Sequence, residues 1–199
     1  MLADIQLVIL EGRGCNRFLR SWAARFPNRR ILNVSDFPDH VAAHRNRVFK
    51  WFRDECTAKW LIMMDDDVVP IAATDAFVQA EGDIIGAKAI AKTGSEMHPH
   101  AFSMTAVKVH RRVIEAVTPP WFAFMFTPDG VMQELCECLY FHKKATEAGF
   151  RTTQAGAVGH RFMVTVVPPG EGETRPQLLF DDEVNEGLRS ARSKPAGGT

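Results

Sequence analysis

Three consecutive aspartates, Asp65, Asp66 and Asp67, end the apolar run Leu61–Met64 and are followed by Val68, Val69 and Pro70. A short apolar run with polar residues at its end reads as a buried strand. Carboxylates crowded at that end repel one another: at an effective dielectric near 20, two unit charges about 4 Å apart cost roughly 4 kcal/mol. A bound cation offsets that cost. Hard carboxylate oxygens suit Mg²⁺ or Mn²⁺, which commonly bridge protein carboxylates to substrate phosphates. In extended backbone Asp65 and Asp67 project to one side and Asp66 to the other, which leaves an Asp-x-Asp pair able to share one ion. A solvated acidic turn would use the same residues, and the motif alone does not choose between the two.

The flanking periodicities give the elements that must position the triplet. Ile5–Leu10 is a short apolar run closed by Glu11, Gly12, Arg13 and Gly14, which suits a buried strand and a turn. Asn16–Phe26 reads as a helix stopped before Pro27, and Arg30–Val34 as a second strand. Asp39 is placed to cap a helix from about His40 to Cys56 that turns Val41, Val48 and Phe52 inward. Trp60–Met64 is the third strand. Alternating strands and helices with short connections predict right-handed crossovers and a parallel sheet, whose ligands bind outside the carboxyl ends of the strands. The triplet belongs at that edge. Asp83–Ile90 and Ala101–Val109 are further strands, and Met132–Ala148 is a helix with Leu135, Leu139 and Ala145 inward and Gly149 as its stop. Phe150–Gln154 and Ala157–Val167 return to extended structure, and Lys194–Thr199 has a disordered composition.

Four features therefore stand in order: a turn after the first strand, Arg45-Asn46 on the second helix, Asp65–Asp67 after the third strand, and His160 late in the chain. The segments AAHRN, MMDDDVV, PPWF and ECLYFHKKATEAGF…GHRF, spread over about residues 3–165, carry a resemblance to the GT-A glycosyltransferases. They are most similar to the small family-2-like enzymes of bacteria and phages. The resemblance implies an α/β fold of GT-A type: a Rossmann-like nucleotide-binding sheet, mixed and mostly parallel, with helices on both faces. It implies one catalytic domain over 1–167 and a partly disordered extension over 168–199. The implied activity moves a sugar from a nucleotide-sugar donor (a UDP- or GDP-sugar) to an acceptor, with Mn²⁺ or Mg²⁺ as cofactor.

Carried over by residue, the resemblance implies that Asp67 binds the metal and that Asp65 touches the metal or the nucleotide ribose. His160 matches the late metal-ligand histidine; a satisfied structural histidine is its rival reading. Arg45 would contact the nucleotide or brace the carboxylates, with Asn46 and Asp66 on the same nucleotide side. Trp121 and Phe122 would stack on the acceptor sugar, or else pack in the core. One departure matters. The family commonly carries Glu-Asp at the start of the last helix, the Asp being the general base of inverting enzymes. Counting back from Ala148-Gly149 sets Glu137 on the Glu and Cys138 on the Asp. A thiol with a pKa near 8.5 is a poor substitute for a carboxylate base. The role then falls to Glu137 or Glu134, or configuration is retained without such a base, or the chain is a non-catalytic nucleotide- or nucleic-acid-binding relative.

Other classes fit less well. A sugar-1-phosphate nucleotidyltransferase needs a glycine-rich pyrophosphate loop, of which EGRGCN is a poor version, and Val69 stands where an Asp-x-Asp-x-Thr phosphatase has its Thr. With 46% hydrophobic and 24% charged residues, the 199-residue chain has the composition of a soluble globular domain rather than a disordered one. Zero formal net charge leaves no whole-molecule field to attract a polyanion. The N-terminal third is nonetheless basic (Arg13, Arg17, Arg20, Arg25, Arg29 and Arg30), which keeps DNA among the acceptor classes unless those arginines are a solvated helix face. His98 and His100, split by Pro99, make a weak metal pair. Cys15, Cys56, Cys136 and Cys138 have no zinc spacing; Cys136 and Cys138 are expected to point apart on a helix. Reduced thiols, no leader segment and no apolar run of membrane-spanning length predict a cytoplasmic protein.

Overall fold

A computed structural model describes residues 2–12, 17–34, 41–90, 104–130 and 133–160, and the backbone of 163–167 and 177–180. After a 3₁₀ turn at Leu2–Asp4 come β1 (Ile5–Glu11), α1 (Arg17–Ala23), β2 (Arg29–Asn33), α2 (Val41–Glu55), β3 (Trp60–Asp65), β4 (Val68–Pro70) and α3 (Thr74–Gln79). Then follow β5 (Ile84–Ile90), β6 (Ala106–His110), α4 (Arg111–Ala116), β7 (Met125–Phe126), β8 (Gln133–Leu135), α5 (Glu137–Glu147), β9 (Thr152–His160), β10 (Met163–Val167) and β11 (Gln177–Phe180).

Alternate residues of the central strands face two different cores. In β1, Val8 and Leu10 enter one cluster, and Ile5, Leu7 and Ile9 the other; β3 divides the same way into Leu61 and Met63 against Trp60, Ile62 and Met64. Strands covered on both faces need no polar alternation, which is why β3 reads as an unbroken apolar run as far as Asp65 and β1 is broken before Glu11 only by Gln6. The first core is roofed by α2, α4 and α5 through Val48, Phe49, Phe52, Val113, Ile114, Phe141 and Ala145. Leu19 and Ala23 of α1 and Phe77 and Val78 of α3 roof the second.

The main sheet runs β2-β1-β3-β6-β5-β9-β4. β1 is parallel to β2 and β3, as the crossovers through α1 and α2 require, and β5 is parallel to β9. β6 lies between β3 and β5, antiparallel to both. This is the mixed α/β, Rossmann-like architecture of the GT-A type. The chain divides into two compact units, residues 1–159 and 160–199, and in the second β10 and β11 form an antiparallel pair with a register shift between Met163 and Thr165.

Several element boundaries depart from expectation. Residues 133–135 form strand β8, so α5 starts at Glu137 and Leu139 is exposed rather than inward. Its stop is as expected: Gly149 has φ +86°, and the Gly149 and Phe150 amides donate to Thr146 O and Ala145 O, both at 2.9 Å. β9 is one strand where two segments were expected. It passes through a bulge at Gly156, where Gly86↔Gln154 is followed by Lys88↔Ala157. The Asp39 cap, Cys15 and the His98/His100 pair lie outside the described residues.

Candidate active site at the acidic strand end

Arg45 is the hub of the candidate site. It sits on the inner face of α2 with only 4% of its surface exposed. Its Nη2 donates to both oxygens of Asp65 at 3.2 Å, and its Nη1 donates to Glu137 Oε1. The same Nη1 lies 3.8 Å from Cys138 Sγ, whose thiol in turn donates to Glu137 Oε1 at 3.4 Å. One guanidinium thus joins the inner face of α2, the end of β3 and the start of α5. Of the two roles implied for Arg45, the structure shows the brace between carboxylates. Arg45 Nε is buried and has no hydrogen-bond acceptor among the described residues.

Burial works against the Arg45 charge, but Asp65, Cys138 and Glu137 outweigh it and hold the guanidinium above its ordinary pKa. Asp65 is pushed up to about 6, first by burial and then by the neighbouring charges of Asp67 and Asp66, with Arg45 pulling the other way. Burial pushes the Cys138 thiol up to about 12, so it is neutral at ordinary pH and cannot serve as a base.

β3 ends at Asp65, and Asp66 and Asp67 form the turn into β4. Asp66, expected on the nucleotide side, accepts the Gly12 amide at 2.9 Å through Oδ2 and so ties this turn to the end of β1. Asp67 is half-buried in the same turn. His160, also half-buried, is the last residue of β9 and the first of the second unit.

Two expectations are corrected. Asn46 is not free to bind a nucleotide: its Nδ2 donates to Ala42 O at 2.9 Å and Phe122 O at 2.7 Å, and its Oδ1 accepts the Trp121 and Phe122 amides at 2.9 and 3.1 Å. It pins the loop that follows the cis Pro119-Pro120 bond. Trp121 and Phe122 are core residues rather than an acceptor platform, 2% and 1% exposed. The Phe122 ring packs against Phe49 and Phe141, and Trp121 lies between Phe49 and the Arg53 guanidinium while its Nε1 donates to Ile114 O.

Glu134 is exposed on β8, and Arg45 engages Glu137 instead. Cys136 and Cys138 do not point apart, because Cys136 precedes the helix as its N-cap in extended backbone (φ −73°, ψ 164°). Several described arginines of the basic N-terminal third have partners within the molecule. Arg20 pairs with Glu11, Arg25 with Asp75, Arg29 donates to Phe26 O, and Arg30 covers Trp51. Between β2 and α2 lies a cleft of about 250 Å³ lined by Leu10, Leu32, Val34, His44, Arg47 and Trp51 among others.

The sequence matches no protein-family model and no curated protein. Among solved structures, A197 from STIV aligns with a TM-score of 0.55 at 16% identity, over 90% of this chain and 91% of that one. The two share a fold. A glycosyltransferase involved in the glycosylation of the major capsid of PBCV-1 aligns more loosely, with a TM-score of 0.43 at 11% identity over 75% of this chain and 80% of that one. At 16% identity the likeness to A197 concerns architecture alone.

Proposed function

We propose that the protein is a metal-dependent glycosyltransferase acting on a nucleotide-diphosphate sugar. The observation that carries this reading is the Arg45 brace, which holds the Asp65 carboxylate at the carboxyl edge of the sheet and ties it to Glu137. The donor set fits the cation. A carboxylate such as Asp65, whose pKa is raised by burial and by its acidic neighbours, suits a hard divalent ion, and Mn²⁺ or Mg²⁺ would be held by Asp65 and Asp67. Once bound, the ion supplies Lewis acidity for the diphosphate leaving group.

The chain's own residues do the rest. Arg45 keeps Asp65 ionised and oriented, its unspent Nε offers a buried donor for a ligand oxygen, and the cleft between β2 and α2 offers room for the nucleoside. Glu137, beside a neutral Cys138, is the residue assigned to accept the proton of the acceptor hydroxyl. A second reading, a non-catalytic nucleotide-binding relative, draws support from the same contacts, since Glu137 and Cys138 are both tied to Arg45. Turnover separates the two.

The test is a panel of UDP- and GDP-sugars with Mn²⁺, read as nucleoside diphosphate released. One donor should be consumed, with a fall of about 100-fold or more in Asp67→Ala. UDP or GDP with Mn²⁺ should raise the melting temperature of the parent chain and not of that variant. No thermal shift with any nucleoside diphosphate would end this reading, while a shift without turnover would favour the non-catalytic one.

A further inference from the structure

The head of α5 carries a second set of ligand atoms, of softer chemistry than the aspartates. Cys136 caps the helix in extended backbone, which brings its sulfur back beside Cys138. Cys136 Sγ, a Glu137 carboxylate oxygen and Cys138 Sγ all lie within 4.8 Å of one another. Two sulfurs bound to one tetrahedral zinc ion at 2.3 Å stand about 3.8 Å apart, so a closure of about 1 Å or less converts this grouping into a coordination set. We infer that Cys136, Glu137 and Cys138 form a three-ligand site for a thiophilic divalent cation of the zinc class, with the fourth position open to water.

The charge balance favours such a site despite the burial. Glu137 and Asp65 with Arg45 give the cluster a net charge of −1 (two carboxylates against one guanidinium). A divalent cation that enters while two thiols lose their protons leaves that net charge unchanged, so no additional charge has to be buried. Outer partners are already in place. Cys138 Sγ faces Arg45 Nη1 at 3.8 Å and is hydrogen-bonded by the backbone of Met104. Donors aimed at sulfur stabilise a bound thiolate. Among the described residues no other group of three His, Cys, Asp or Glu side chains meets this geometry, and Cys56 bonds Gln6 Oε1 at 3.7 Å instead. Capture of a cation here and proton acceptance by Glu137 exclude each other, a consequence that rests on the role assigned to Glu137 above; the site itself does not.

The experiment titrates the reduced chain with Co²⁺ in excess Mg²⁺, so that hard-oxygen sites are filled by the competing ion. One Co²⁺ per chain should bind with a thiolate-to-cobalt charge-transfer band and the strong visible absorption of tetrahedral cobalt. Each bound ion should release two protons to a pH indicator, with affinity rising as pH rises. Cys136→Ser and Cys138→Ser should each lower the affinity at least tenfold, whereas Cys56→Ser and Asp67→Ala should keep the band. Because a Ser variant that fails to fold also loses the band, circular dichroism is recorded for each, and the parent chain's spectrum and proton count stand by themselves. A weak octahedral spectrum, no charge-transfer band, or a band that survives Cys138→Ser overturns the site. Failure to consume any nucleotide sugar leaves this result untouched.

Discussion

At the scale of single residues, Asn46 and Arg45 divide the labour on α2. Asn46 satisfies four polar groups of its own helix and of the loop at Trp121 and Phe122. Asn46→Ala leaves buried amides without acceptors and should cost about 2–3 kcal/mol, read as a lower urea midpoint with an unchanged m-value. Asn46→Asp keeps the acceptor but sets a carboxylate oxygen against Ala42 O and Phe122 O, and should lose at least as much. The sequence reading placed both residues near the carboxylates, but only Arg45 reaches them. Arg45 is legible through the segment AAHRN, whose family resemblance implies a nucleotide contact or a brace, and its partner Asp65 lies 20 positions away on the next strand. The role of Asn46 is not legible, because the amides that it holds lie 75 and 76 positions downstream in a loop that carries no periodic signal.

At the scale of elements, the long buried strands were legible because burial on both faces leaves an unbroken apolar run. β4, α3 and α4 were missed: three to six residues carry too little periodicity to register. The sequence pattern puts the start of α5 too early, since Leu135 fits a helical stripe as well as it fits a strand. The join in β9 is hidden for a different reason. Gly156 looks like a break between two segments, whereas its φ of +62° builds a bulge that lets the strand run on against the start of α3. A Cβ at this position would lie 2.4 Å from Ala73 O and 2.5 Å from Phe77 N. Gly156→Ala should therefore cost about 3 kcal/mol or more, combining the strained φ with a clash against backbone, measured by equilibrium unfolding. A variant within 1 kcal/mol of the parent, a threshold set by the range of ordinary surface substitutions, would show that the bulge relaxes freely.

At the scale of the whole molecule, two cores on one sheet account for the stability, and a buried histidine sets part of its pH dependence. His142 of α5 is 4% exposed, with Nδ1 2.8 Å from Thr152 Oγ1 of β9, and burial lowers its pKa to about 4. The unfolded chain, with a pKa near 6.5, binds a proton that the fold excludes. The contribution is fully present above about pH 6.5 and is lost as pH falls through 4, worth roughly 3 kcal/mol across that window. Denaturant unfolding at pH 7 and pH 4 should show this loss, and His142→Gln should flatten it. The Arg45 brace has a further consequence, in time rather than in space. Glu137 follows Arg45 by 92 positions and Asp65 follows it by 20, so a chain emerging from the ribosome N-terminus first makes one carboxylate partner long before the other. Until α5 is synthesised the guanidinium charge is balanced by Asp65 alone, and Nη1 lacks its Glu137 acceptor.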